Sequence, residues 1–152
     1  MTDSTYLAAI YRTHGVIFWE SAKTLSRDLE LDERGVPEKA MAIPFYFLVS
    51  HAAELFLKSA LPKRGFSEVD LKKFSFRHSL ETMLHAVQAK GVSVTDDTST
   101  TLLGLHAQHQ DHSLRYTALV DDGKATYMPP PALAFSMLEE LLLLTRIATQ
   151  GV

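Results

Sequence analysis

Apolar residues recur with the period of an α-helix over most of the chain, and this pattern predicts four to five long helices. The first helix begins after Asp3 or Ser4, either of which can cap it, and its apolar positions are Tyr6, Leu7, Ile10, Tyr11, Ile17 and Phe18. Gly15 is expected to weaken the middle of this helix. The pattern fades through Asp28, and the Gly-Val-Pro sequence at residues 35–37 predicts a break.

The second predicted helix covers residues 38–61. Its later half is rich in alanine and leucine, which are strong helix formers. Pro44 lies inside this helix and is expected to kink or divide it, because proline cannot donate a backbone hydrogen bond. Pro62 and Gly65 are expected to end the helix.

The middle of the chain contains the signals of three further helices. Ser67 and Asp70 stand at capping-box spacing, which predicts a short helix. The next helix covers residues 78–91, with Ser79 as its expected N-cap, and ends at a glycine, the residue most often found just beyond a helix. The one after it covers about residues 96–116, and two aspartates at its start favour the positive end of the helix dipole.

After residue 116 the period changes. Residues 117–127 contain an Asp-Asp-Gly sequence between short apolar runs, and this predicts a small hairpin. Three prolines at residues 129–131 then precede a final helix over residues 132–149. The sequence therefore predicts an all-α, up-and-down bundle, with a short irregular or hairpin excursion before the last helix, in a single domain of residues 1–152.

The second and final helices are apolar around most of their circumference. Such a helix is either central to a core or covered by a partner chain, and homodimerisation is the preferred interpretation. The apolar runs are shorter than the roughly 20 residues that cross a bilayer, so no membrane association is expected. The N-terminus does not have the pattern of a secretory signal, and a cytoplasmic protein is predicted.

The 152 residues contain no cysteine, which excludes disulfides and thiolate zinc sites. The formal net charge of −3 argues against nucleic-acid binding over the whole surface. One segment departs from this average, since residues 58–78 carry six basic side chains against two acidic ones. A solvated face explains such a segment, and so does phosphate binding by Lys63, Arg64, Lys72, Lys73, Arg77 and His78.

The helix predicted over about residues 96–116 carries a stripe of histidines, His106, His109 and His112, with Arg115 one turn further on. A partly buried polar stripe at an interface is one interpretation. A metal-independent RNA- or nucleotide-handling site is a second, with His112 as the acid–base group, Arg115 as the cation beside the phosphate and His109 as a further proton-transfer group. A metal site is the third, but three ligands on one straight helix diverge, so neither a metal nor a cofactor is predicted.

Glu54 and Lys58 have the i, i+4 spacing of an ion pair on a helix surface. Alternatively, Glu54 projects inward and orients Arg115 or a histidine, because a polar residue in an apolar helix needs a partner. His51 lies one turn earlier on the same face, which favours a polar cluster.

The order of these segments resembles the HEPN superfamily (higher eukaryotes and prokaryotes nucleotide-binding). The family's Ala-x-Glu-Leu-x-Leu-Lys helix is similar to residues 52–58, and its His-Asp-Leu-like helix start is similar to His78-Ser79-Leu80. The resemblance covers about residues 38–149 and includes His112, Arg115 and the leucine-rich last helix. It implies an all-α bundle, frequent dimers, and roles in RNA cleavage, nucleotide binding, or toxin–antitoxin and defence systems with a cognate nucleotidyltransferase or antitoxin.

The sequence departs from the family's ribonuclease motif, an arginine followed four to six residues later by a histidine. No histidine follows Arg115. The leading prediction is therefore a HEPN-like protein that binds RNA or a nucleotide. A divergent ribonuclease using His112 and Arg115, and a helical interaction module without such a ligand, are the two alternatives.

Overall fold

The computed structural model describes residues 3–33, 35, 37, 39–73, 76–110 and 128–147. Within these ranges the chain is helical. Its elements are α1 (Ser4–Ser26), α2 (Lys39–Ala60), a 3-10 helix (Pro62–Arg64), α3 (Glu68–Lys72), α4 (Leu80–Ala89), α5 (Asp96–Gln110) and α6 (Pro131–Ile147). The all-α class is thus confirmed. Within the described ranges, five longer helices fit the predicted four to five, and the short helix α3 follows the predicted capping box. The predicted hairpin lies outside the described residues. So does the end of the helix predicted over about residues 96–116, which includes His112 and Arg115.

The helix starts depend on the local chemistry that the sequence predicted. The Asp3 carboxylate accepts a hydrogen bond from the Thr5 backbone N–H, and Ser79 accepts one from that of Thr82. Ser67 and Asp70 form a reciprocal capping box at the start of α3. Pro44 lies within α2 and does not divide the helix, so of the two expected effects, a kink or a division, division is wrong.

Helix α2 is the central element, and it packs against α1, α4, α5 and α6. Its completely buried side chains include Phe45, Tyr46, Val49 and Phe56. The apolar circumference of α2 is therefore covered by other helices of the same chain. This was the alternative to cover by a partner chain. Helix α6 is less completely covered, because Leu143 remains 53% exposed.

Gly15 lies on the side of α1 that packs against α2. A Cβ atom at this position would stand 2.6 Å from Cε1 of Phe56, far inside van der Waals contact. The glycine was expected to weaken α1, yet α1 continues through it. Its missing side chain allows the Phe56 ring to lie directly against the α1 backbone.

Glu140 is an acidic residue within the leucine-rich α6, and its hydrogen bonds explain its presence there. Its carboxylate accepts hydrogen bonds from the Thr95 backbone N–H at 2.7 Å and from the Thr95 and Thr98 hydroxyls at 2.8 and 2.5 Å. Burial raises the Glu140 pKa, but these bonds outweigh it and leave the pKa below its ordinary value. Glu140 thereby ties α6 to the first turn of α5.

In the part of the chain that the structure describes, none of the helices combines the length and the apolar character needed to cross a membrane.

Candidate functional site

The centre of the bundle holds an ionisable side chain, Glu54, which is only 1% exposed. Its Oε2 atom lies 2.5 Å from Nε2 of His109 and 3.2 Å from Nδ1 of His78. Its Oε1 atom accepts a hydrogen bond of 2.5 Å from Nζ of Lys58. Nδ1 of His51 stands 3.9 Å from Oε2. These five residues are called the Glu54 cluster.

Three different parts of the fold supply the cluster. His51, Glu54 and Lys58 are spaced three and four residues apart on α2, so they share one face of that helix. His109 comes from the last turn of α5, and His78 from the turn that leads into α4. The carboxylate is therefore approached by side chains from separate directions.

His78 adopts an unusual backbone conformation. Its φ angle of 59° lies in the left-handed region, and it is the only positive φ at a non-glycine residue within the described ranges. Such a conformation costs on the order of 1–3 kcal/mol and is found most often at functional sites. Here it accompanies a turn that directs the imidazole back to a carboxylate 24 residues earlier in the chain.

Glu54 is ionised at neutral pH. Burial raises its pKa, but the hydrogen bond from His109 and the charge of Lys58 outweigh burial and hold the pKa well below its ordinary value. An ionised carboxylate can only accept hydrogen bonds. It follows that His109 donates through Nε2–H and His78 through Nδ1–H, which fixes the tautomer of each ring when it is neutral.

The side chains of the cluster become more exposed from the interior towards the surface. Glu54 and His109 are buried, while the side chains of His51 and His78 are 20% and 22% exposed. The His51 ring lies parallel to Phe47, with centroids 5.9 Å apart, and Phe18 meets it edge-on at 4.4 Å. The outer part of the cluster therefore combines imidazole N–H groups with aromatic faces.

The structure brings together only some of the residues that the sequence singled out. Glu54 projects inward and contacts histidines, as the second interpretation of its spacing expected, and His109 is one of its partners. His78 was grouped with the basic segment, but its side chain belongs to the Glu54 cluster. His106 is separate, because its Nε2 lies 3.5 Å from Oε2 of Glu81.

The charge of the basic segment, residues 58–78, is partly neutralised by acidic side chains of the same segment. Lys72 pairs with Glu68 and Lys73 with Asp70, each at 2.7 Å. Arg64 donates to the carbonyl oxygen of Ala60 at the end of α2. Among the described residues, Lys63 and Arg77 have no ion-pair partner, and Arg77 is exposed immediately before His78.

Comparisons with protein-family models, curated proteins and solved structures give no match for this chain.

Proposed function

We propose that this protein is a cytoplasmic, HEPN-like helical protein that binds RNA or a nucleotide, with a phosphate group received beside the Glu54 cluster and Arg77. The observation that carries the proposal is a buried carboxylate, Glu54, shared by two histidines of which one, His78, has a strained backbone. A family resemblance in residues 52–58 and 78–80 supplies the choice of ligand.

The energetics of the cluster favour a role beyond folding. Placing a carboxylate, an ammonium and imidazoles in a core removes them from water, and apolar side chains of similar volume would often stabilise a fold at least as well. His78 also joins the cluster from a left-handed backbone conformation, which is strained for a residue other than glycine. Departures of this kind from good packing are typical of binding and catalytic sites.

The charges of the cluster suit an anion. Glu54 and Lys58 balance each other in charge, so the pair leaves no excess negative charge that would repel a phosphate. Arg77 offers an exposed guanidinium in the residue before His78, and guanidinium groups bind phosphate through paired N–H donors. Phe18 and Phe47 add aromatic faces beside His51, which suit a nucleobase.

A divergent ribonuclease is the second candidate, and one contact favours it. The Glu54 carboxylate holds the His109 imidazole at 2.5 Å, and a carboxylate that orients a histidine is a common element of proton-transfer catalysis. His112 and Arg115 follow His109 in the sequence and remain the proposed acid–base group and cation. A nucleotidyltransferase or antitoxin is the partner class that the resemblance implies.

The binding proposal predicts the effect of Arg77→Ala. We expect purified protein to bind fluorescent single-stranded RNA in an anisotropy assay, with affinity falling as salt rises. Arg77→Ala is expected to weaken binding about 5- to 10-fold and to reduce the salt slope by about one phosphate contact. Lys72→Ala is the matched control, since Lys72 is already paired with Glu68, and its effect should stay within about twofold.

Two results would redirect this proposal. Absence of salt-sensitive binding to RNA and to nucleotides would contradict it and leave the interaction module. RNA cleavage in chelator that disappears in His109→Gln would establish the ribonuclease instead, whereas equal cleavage by both proteins would indicate a contaminant.

The proposed oligomeric state is a homodimer. Its support is the exposure of apolar side chains, 53% for Leu143 on α6 and 55% for Ile17 on α1. Light scattering at micromolar concentration is expected to give twice the mass of one chain, and Leu143→Glu is expected to lower it towards the monomer. Val69→Glu is the control, because Val69 is an exposed apolar residue on the short helix α3. A monomeric mass for the parent protein would refute the dimer.

A further inference from the structure

We infer that the Glu54 cluster is a binding site for a divalent transition-metal ion of the zinc type, with Glu54 Oε2, His78 Nδ1 and His109 Nε2 as ligands. The inference goes beyond RNA or nucleotide binding and does not depend on it. It is based on the convergence of three ligand atoms, on their chemical identity and on the groups that hold them.

The three atoms are close enough to share one ion. All of them lie within 4.8 Å of one another, and Oε2 is 2.5 and 3.2 Å from the two nitrogens. Zinc binds imidazole nitrogen and carboxylate oxygen at about 2.1 Å, which places tetrahedral ligands about 3.4 Å apart. The distance from Oε2 to the His78 nitrogen is already close to this value, and movement of the His109 ring by about an ångström would bring the distance from Oε2 to its nitrogen there as well.

The direction of approach also suits a metal. The ligands come from α2, from the turn before α4 and from α5, so they surround a point. The histidine stripe that the sequence predicts could not do this, because side chains along one straight helix diverge. Its member His106 is directed to the start of α4, where it contacts Glu81.

The donor set is one that zinc uses. Two imidazoles and one carboxylate are the protein ligands of catalytic zinc sites that keep a fourth position for water or substrate. Among the described residues, His51 offers a further imidazole nitrogen, and its Nδ1 is 3.9 Å from Glu54 Oε2. If His51 bound the ion as a fourth ligand, the site would be closed. If it did not, the fourth position would be open to a phosphate oxygen.

The surroundings hold the ligands in place. Lys58 occupies Oε1 of Glu54 and leaves Oε2 directed to the histidines, and a hydrogen-bonded partner of this kind is typical of a metal-binding carboxylate. The aromatic rings of Phe18 and Phe47 shield His51. Metal binding requires each ligating nitrogen to lose its hydrogen, so the proton of His109 moves to Nδ1 and that of His78 to Nε2.

The experiment must separate a metal site from a cluster held by hydrogen bonds alone. Glutamine can donate a hydrogen bond to Glu54 but is a poor ligand for zinc, so His78→Gln and His109→Gln are the informative variants. His14→Gln and His85→Gln are matched controls, because both histidines are exposed and lie outside the cluster. Thermal unfolding of the chelator-treated proteins identifies any variant that no longer folds.

We expect chelator-treated parent protein to bind one Co²⁺ per chain, with the intense visible absorption of a tetrahedral site, and Zn²⁺ to displace it. His78→Gln and His109→Gln are expected to weaken Co²⁺ binding by about 100-fold or more, and the two controls should bind as the parent does. No Co²⁺ spectrum in the folded parent, or an unchanged spectrum in both cluster variants, would overturn the inference. Since RNA is absent from this assay, its failure is distinct from failure of the binding proposal.

Discussion

Glu54→Gln is expected to lower the free energy of unfolding by about 3–5 kcal/mol in chelator-treated protein. The carboxylate is 1% exposed and is the shared acceptor for Lys58, His78 and His109. The amide has no charge to balance Lys58, and its NH₂ group faces other donors. Urea denaturation followed by circular dichroism measures the change.

Glu68→Gln is the matched control for this prediction. Glu68 and Lys72 have the same i, i+4 spacing as Glu54 and Lys58 and nearly the same contact distance, 2.7 Å against 2.5 Å. They differ in exposure, since the Glu68 pair lies on the surface, where solvent screens it, and its loss is expected to change stability little. Equal losses in the two variants would contradict a buried charge cluster.

The same carboxylate predicts a pH dependence. The folded pKa of Glu54 lies well below its ordinary value, so its ionisation stabilises the fold above the ordinary pKa of a carboxyl group. This stabilisation is lost as the pH falls towards the folded pKa. The stability of the parent is therefore expected to approach that of Glu54→Gln in acid, and a constant difference between them would contradict the assignment.

Gly15→Ala is expected to destabilise the protein by about 1–2 kcal/mol, although alanine is the better helix former by about 1 kcal/mol. The new methyl group would meet the Phe56 ring at 2.6 Å, and the ring lies in a fully buried position. Overpacking of this kind costs typically 1–3 kcal/mol. Thermal or urea unfolding measures the change, with Thr13→Ala at an exposed position of the same helix as the control.

A double substitution separates the clash from other effects of Gly15→Ala. Phe56→Leu removes the ring atoms that the methyl group would meet, at a cost of its own. Gly15→Ala should therefore be nearly neutral or stabilising in the Phe56→Leu background. An equal loss of stability in both backgrounds would show that the close approach of the ring is not the cause.

The features that the sequence predicted well are local ones. The caps at Asp3, Ser67 and Ser79 depend on groups two or three residues apart, so spacing alone identifies them. The inward position of Glu54 was one of two interpretations of its spacing, the other being a surface pair with Lys58, and its place in an apolar helix after a histidine favoured a polar partner. The helical period likewise determined most of the element boundaries.

The composition of the site was less accessible from the sequence. His78 is 24 residues from Glu54, and its direction depends on a left-handed turn that no local pattern specifies. A metal was not predicted because three histidines on one helix diverge, whereas the Glu54 cluster joins residues from three separate segments. Pairing of Lys72 and Lys73 with α3 carboxylates similarly reduces a basic segment that looked continuous.

The central position of α2 has a consequence for genetic analysis of this protein. One face of this helix carries His51, Glu54 and Lys58, while its other faces form much of the core. A random mutational screen for lost function would therefore recover many α2 variants that simply fail to fold. Variants at His78, which lies on a turn at the edge of the bundle, should separate loss of function from loss of folding and are the better starting point for such a screen.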